Sequence, residues 1–281
     1  AQNLNIIFKG IGGNKMIDAG LESLEDIRKM AIMGFVEIIK HLSFFRNLTN
    51  KVLDEIDNCQ PRKIILIDYP GFNLRLAKKI KKRFNIPLAY YISPQIWAWK
   101  ENRIEIIRKY IDQMLVIFPF EENWYKKRGI HAKFVGHPIF DEWRPTPKEE
   151  LCRQLNLKPE KPIITLYPGS RNQEINRHFP ILIQVAKKLR QDNPDIQFVF
   201  GVAHNINIKK WQIPSWIQIE NNHPQKALEC ADLALVASGT STLEAAVFGT
   251  PMIIIYKMSP ISWLISRALV NVPFVGMVNI I

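Results

Sequence analysis

The sequence predicts an α/β protein of two Rossmann-like domains facing each other across a cleft. Three observations predict it. Strand-like and helix-like segments alternate along both halves of the chain, the alternation fades once near the middle and restarts, and several strands run into small-residue turns that open helices. The 281 residues are 47% hydrophobic and 23% charged, a globular composition with enough apolar material for more than one core.

In the first half, residues 5–8 read as a short strand and residues 33–56 as a long apolar-rich helix. Residues 63–67 form a β-branched run that ends at Asp68 and turns at Pro70-Gly71. A helix over 73–84 and a strand over 87–90 follow, with further strands over 113–117 and 132–135. Around 143–161 the pattern weakens, where Pro145, Pro147, Pro159 and Pro162 flank one short helix, as a linker would. The boundary therefore falls between a domain of residues 1–150 and one of residues 151–281. The second half brings a strand over 163–166, a helix to about 190, and strands over 197–201, 216–219 and 233–236. A helix over 241–248 and a strand over 252–256 complete it.

The net charge is +12, which points to an anionic partner: lipid, phosphorylated substrate or nucleic acid. Arg75, Lys78, Lys79, Lys81, Lys82 and Arg83 form the densest basic cluster, alongside Leu76, Ile80 and Phe84 at helical spacing. It reads equally as a solvated helix face or a binding patch. No nucleic-acid-binding motif accompanies it, so nucleic acid is not expected as a partner. Cys59, Cys152 and Cys230 are scattered and lack CxxC spacing, which fits a reducing compartment and no zinc site. No basic region precedes an apolar run at the N-terminus, and no segment of about 20 apolar residues occurs. The expectation is a protein of the cytoplasm or of a membrane's cytoplasmic face.

Candidate chemistry concentrates in turns. In Ala237-Ser238-Gly239-Thr240-Ser241-Thr242-Leu243-Glu244 a buried strand opens a helix. Its backbone N–H groups and dipole suit a phosphate, with Ser238, Thr240 and Ser241 as hydroxyl donors, Gly239 allowing close approach and Glu244 accepting from ribose hydroxyls. The plainer alternative is an N-cap with Glu244 as capping-box partner. Tyr167-Pro168-Gly169-Ser170-Arg171 is a second such turn; Arg171 either neutralises a diphosphate leaving group or is a surface arginine. Asp68, expected to be partly desolvated, is either a general base for an acceptor hydroxyl or a turn residue. His137 either orients a phosphate or fills the interdomain joint. No GxGxxG fingerprint and no HExxH pattern occur, so neither a dinucleotide cofactor nor a metal is expected. The wide apolar surface of residues 32–48 suits a core helix or a bilayer interface.

Taken together these segments resemble lipid-A-disaccharide synthases, glycosyltransferases of the GT-B fold. The resemblance rests on Met33-Gly34-Phe35-Val36-Glu37, Ile67-Asp68-Tyr69-Pro70-Gly71-Phe72-Asn73-Leu74-Arg75-Leu76-Ala77-Lys78-Lys79 and Tyr91-Ile92-Ser93-Pro94-Gln95-Ile96-Trp97-Ala98-Trp99. It extends through Phe118-Pro119-Phe120-Glu121, Phe134-Val135-Gly136-His137-Pro138, Pro168-Gly169-Ser170-Arg171 and Ala237-Ser238-Gly239-Thr240. It implies metal-independent, inverting transfer of diacylglucosamine from UDP-diacylglucosamine to diacylglucosamine 1-phosphate at a membrane surface, with no cofactor. Asp68 and Arg171 then stand at catalytic positions. Ser170, Ser238, Gly239, Thr240, Ser241, Glu244 and Asn279 stand at substrate-binding ones, with His137 beside them. The resemblance also implies a peripheral seat on the inner face of the bacterial inner membrane, with the apolar helix near Phe35 at the interface; a homodimer is left open. The chain starts downstream of the family's first strand and Gly-Glu-Ala/Thr-Ser-Gly-Asp-type loop and stops before its terminal helices, so a truncated version of the fold is expected. Gly71 replaces an acid common in the family, and Val278 a proline. A UDP-N-acetylglucosamine epimerase and a non-catalytic lipid-binding fragment are the rival readings.

Overall fold

The computed structural model describes residues 6–30, 42–98, 100–203 and 206–257. The chain divides into two compact units. One comprises Ala1–Pro94, Asn102–Val116 and Tyr125–Lys133; the other comprises Gln95–Glu101, Ile117–Trp124 and Phe134–Ile281.

The first unit opens with β1 (Phe8–Gly12) and β2 (Leu21–Asp26), a parallel pair joined through the short helix α1 (Asn14–Asp18). The expected strand over 5–8 lies further along the chain, and the sequence showed neither α1 nor β2. Helix α2 (Leu42–Cys59) follows, and the remainder of the long helix expected from residue 33 lies outside the described residues. In α2, Leu48 and Ile56 are buried and Phe45 meets the rings of Tyr69 and Phe72, so this part of the helix faces a core.

The main sheet of this unit is parallel. It runs β3 (Ile64–Ile67), β4 (Leu88–Tyr91), β5 (Gln113–Val116), β6 (Ala132–Phe134), in that spatial order. Helix α3 (Pro70–Arg83) starts with proline, whose fixed φ and missing N–H suit a first helical turn. It buries Phe72, Leu74, Leu76, Ala77 and Ile80 along one stripe. Helices α4 (Ile104–Tyr110) and α5 (Pro119–Lys126), unread in the sequence, follow the next two strands. Of the six basic residues near α3, Lys81 pairs with Asp112 and Arg83 with Asp57, whereas Arg75, Lys78, Lys79 and Lys82 are exposed. Their spacing places those four on one face of the helix.

The second unit carries the short helices α6 (Ile139–Glu142) and α7 (Lys148–Gln154), then the strand β7 (Ile163–Tyr167) and the long helix α8 (Asn172–Asp192). It continues with β8 (Gln197–Gly201), β9 (Ile217–Glu220), α9 (Gln225–Glu229), β10 (Leu233–Ala237), α10 (Thr240–Val247) and β11 (Met252–Ile255). The five strands are parallel in the order β11-β10-β7-β8-β9. Both faces are covered, as an all-parallel sheet requires. Ile164, Leu166, Phe198 and Phe200 pack with Ile175, Leu182 and Ala186 of α8 on one side. Ile163 and Val199 pack with Leu151, Cys152, Leu155, Ala227 and Cys230 on the other.

One device recurs in both sheets. Asp112, just before β5, bonds its N–H to the Leu88 carbonyl (3.0 Å) and takes the Leu88 N–H on its carboxylate (2.6 Å). Asp232, just before β10, does the same to Ile163 at 2.9 Å in each direction. Each carboxylate also meets a lysine, Lys81 at 2.6 Å and Lys148 at 2.5 Å. The entry of each central strand is thereby fixed to its neighbour.

Candidate active site

The two candidate turns of the second unit sit at the carboxyl ends of adjacent strands, because β7 and β10 pair directly. In the first turn Gly169 has φ +112°, a region that favours glycine, and a Cβ there would lie 2.6 Å from the Glu174 carboxylate. That close approach lets Glu174 accept the Ser170 N–H at 3.1 Å and the Arg171 guanidinium at 2.8 Å. Arg171 therefore stands more than half exposed at the helix mouth, held by one carboxylate. An incoming diphosphate would exchange one oxyanion for another.

In the second turn Gly239 has φ +150° and begins α10 with no side chain capping it. Thr242, buried, donates its hydroxyl to the Gly239 carbonyl at 2.8 Å. Ser238 donates its backbone N–H to Ile255 of β11 at 3.0 Å; Thr240 is exposed and Ser241 half-buried. Glu244 is not the capping-box partner the plainer reading offered. Its carboxyl group instead interacts with the Tyr167 hydroxyl. Burial pushes the Glu244 carboxyl above the ordinary carboxylate range, and the bond from Tyr167 pulls the other way. The Tyr167 ring has space only because β8 ends in glycine: a Cβ on Gly201 would come within 2.7 Å of it. Sequence reading missed Tyr167, and its one signal was a polar tip closing a buried strand.

His137 belongs to an aromatic cluster of this unit. Its ring lies 5.6 Å from Phe118, which stacks on Phe120, and Trp97 meets Phe120 edge-on at 5.1 Å. Buried Glu121 accepts the Trp97 indole N–H at 3.0 Å and the Phe118 N–H at 3.1 Å. The Ile139 N–H points at Nδ1 of His137, 3.2 Å away, so the proton of the neutral ring sits on Nε2. Burial lowers the pKa of this histidine and favours that neutral form.

Asp68, in the first unit, is exposed rather than partly desolvated, because β3 is the edge of its sheet. Its backbone is unusual: Asp68 and Tyr69 both adopt left-handed conformations, φ 44° and 46°, which cost energy for non-glycine residues. The surroundings enforce it. The Asp68 carbonyl accepts the Tyr90 hydroxyl at 2.6 Å and the Asn73 amide at 2.7 Å, and its N–H donates to Tyr91 at 2.9 Å. Asn279 lies outside the described residues. Among the described residues no three of His, Cys, Asp and Glu converge on one point.

Two parallel-sheet α/β units, with small-residue turns at strand ends, define the GT-B class, and solved structures agree. A putative UDP-N-acetylglucosamine 2-epimerase from Listeria monocytogenes matches with TM-score 0.58 at 11% identity, over 98% of this chain and 86% of that one. The glycotransferase of kitacinnamycin matches with TM-score 0.54 at 11% identity, over 93% and 83%. At such identities the likeness speaks to fold alone. The family follows from sequence. The model of the lipid-A-disaccharide synthetase family matches residues 1–281, and the lipid-A-disaccharide synthase of Coxiella burnetii (strain Dugway 5J108-111) is 39% identical over 99% of this chain and 74% of its own length. The chain belongs to the lipid-A-disaccharide synthetase family, and is thereby a glycosyltransferase of lipid A biosynthesis.

Proposed function

We propose that the protein is an inverting hexosyltransferase that moves diacylglucosamine from UDP-diacylglucosamine to diacylglucosamine 1-phosphate, releasing UDP and the β-linked disaccharide phosphate without a metal ion. Family membership supports the reaction class, and the observation that carries the donor is the pair of turns on β7 and β10. In this reading residues 151–281 hold the UDP-sugar and residues 1–150 the acceptor and the membrane.

Glu244, steadied by Tyr167, accepts from the ribose hydroxyls. The N–H groups at the start of α10 and the hydroxyls of Ser238, Thr240 and Ser241 meet the diphosphate. Arg171 leaves Glu174 and neutralises the charge that grows on the departing UDP. Asp68 takes the proton of the acceptor hydroxyl, whose oxygen attacks the anomeric carbon opposite the leaving group; the inversion gives the β linkage. His137, neutral with Nε2–H free to donate, fits a phosphate or sugar oxygen. The exposed stripe of Arg75, Lys78, Lys79 and Lys82, with exposed Ile6, Ile7 and Phe8, supports peripheral attachment to an anionic bilayer, on the cytoplasmic side of the inner membrane.

Product analysis by mass spectrometry tests this, with both lipids supplied and divalent metal chelated. The expected result is a disaccharide phosphate plus UDP, with turnover down at least about 100-fold in Asp68→Asn. An epimerase would convert UDP-N-acetylglucosamine with no acceptor present, and that outcome would replace the synthase reading.

A further inference from the structure

His178 lies two turns into α8, 1% exposed, on the same stripe as Ile175 and Leu182. Such a histidine is ordinarily core packing, but both of its ring nitrogens are engaged. Nδ1 lies 2.8 Å from the Pro168 carbonyl, and Nε2 lies 3.0 Å from the Lys257 backbone N–H. The partners dictate the proton's position. A carbonyl only accepts and a backbone amide only donates, so the ring is neutral and carries its proton on Nδ1. A proton added at Nε2 would face the Lys257 N–H.

The two partners follow different strands. Pro168 comes directly after β7 and begins the turn that bears Ser170 and Arg171; Lys257 comes two residues after β11. Between β7 and β11 lies β10, whose end carries Ser238 and Gly239. Ser238 is itself bonded to Ile255 of β11. The imidazole therefore joins the outer two of three neighbouring strand ends and frames the middle one. Tyr256, its ring centroid 6.3 Å away, flanks the imidazole.

We propose that His178 is a positioning residue that fixes the Pro168–Arg171 turn and the exit of β11 around the Ser238–Gly239 turn, so that a nucleoside diphosphate meets all three strand ends in one preset arrangement. The inference rests on the donor-site reading above for its ligand, and on geometry alone for the strut.

Three substitutions in the full chain separate the two bonds. His178→Phe keeps an aromatic ring and removes both bonds. His178→Asn keeps a donor at the δ position for Pro168, and His178→Gln keeps an acceptor at the ε position for Lys257. Hydrogen exchange is followed at residues 169–171 and at Lys257, and UDP affinity by calorimetry. Exchange is expected to quicken at Lys257 in the Phe and Asn variants and at 169–171 in the Phe and Gln variants. UDP affinity should fall about tenfold in the Phe variant and about threefold in each of the others. A ring that merely packs would not give that crossed pattern. Unchanged exchange at both turns in the Phe and Gln variants, or wild-type UDP affinity in a folded Phe variant, overturns the proposal. Wild-type protein that binds no UDP overturns the donor-site reading and this residue's ligand-positioning role, while the exchange pattern decides the strut separately.

Discussion

At the residue scale the strand ends of the second unit are governed by side chains that hold other side chains. Glu244 is the clearest case. Burial raises its carboxyl pKa, and the Tyr167 hydroxyl opposes the shift. In Tyr167→Phe that hydroxyl is lost, and the carboxyl pKa rises further. In the proposed donor site a ribose hydroxyl is best accepted by the ionised carboxylate, so UDP affinity should fall as pH drops through this pKa, and should begin to fall at a higher pH in the variant. Near neutrality the loss should be about fivefold, the value of one ordinary hydrogen bond of about 1 kcal/mol. Titration calorimetry over a pH series reads both effects, and superimposable profiles for the two proteins would refute the coupling. Arg171 and Glu174 follow the same logic from the other side, since the guanidinium is kept in place by a carboxylate, which the diphosphate would displace in the proposed donor site.

At the scale of elements, strand ends matter more than strand middles. The carboxyl ends carry the candidate chemistry, as open α/β sheets favour. The amino ends carry the two aspartate brackets, Asp112 on Leu88 and Asp232 on Ile163. Removing either carboxylate leaves a strand-entry N–H without its acceptor and strips a lysine of its partner. Asp232→Ala and Asp112→Ala should each cost about 1–3 kcal/mol in denaturant melts, most of it from the lost amide bond, because the paired lysines are partly solvated. Asp232→Asn keeps a carbonyl for the Ile163 N–H and should recover much of that loss; a variant as unstable as alanine would show that charge, not the bond, sets the value.

For the whole molecule, basic charge is shared by both halves, 25 Lys/Arg against 18 Asp/Glu in residues 1–150 and 13 against 8 in residues 151–281. Among the described residues only α3 arranges four exposed cations as a stripe. Reversing two of them, Lys78→Glu with Lys79→Glu, should weaken partition onto anionic vesicles at least about 30-fold at low salt, given roughly 1 kcal/mol per basic residue. Binding to neutral vesicles should stay unchanged. Sedimentation with vesicles of each composition measures it, and undiminished binding to anionic vesicles would exclude this face. Family membership rests on the same global scale: a match across residues 1–281 identifies the chain more firmly than any single loop.

The sequence alone determined the alternation of strands and helices, the parallel sheets, the turns after β7 and β10, and the family. Strand limits agree to within a residue or two from β3 to β11, because hydrophobic period and turn chemistry are local and survive in one dimension. It misjudged what neighbours in space decide. The strand expected at 5–8 lies at Phe8–Gly12, where pairing with β2 fixes it. Asp68 lies open to solvent because β3 is an edge. Glu244, for which a capping-box role was only the plainer alternative, interacts with Tyr167, 77 positions away by their numbers. His178 drew no notice in the sequence, yet its second nitrogen meets a backbone amide 79 residues further on. Such bonds follow no sequence period. They exist only once the strands have packed, and the tertiary structure alone decides which side chain completes which turn.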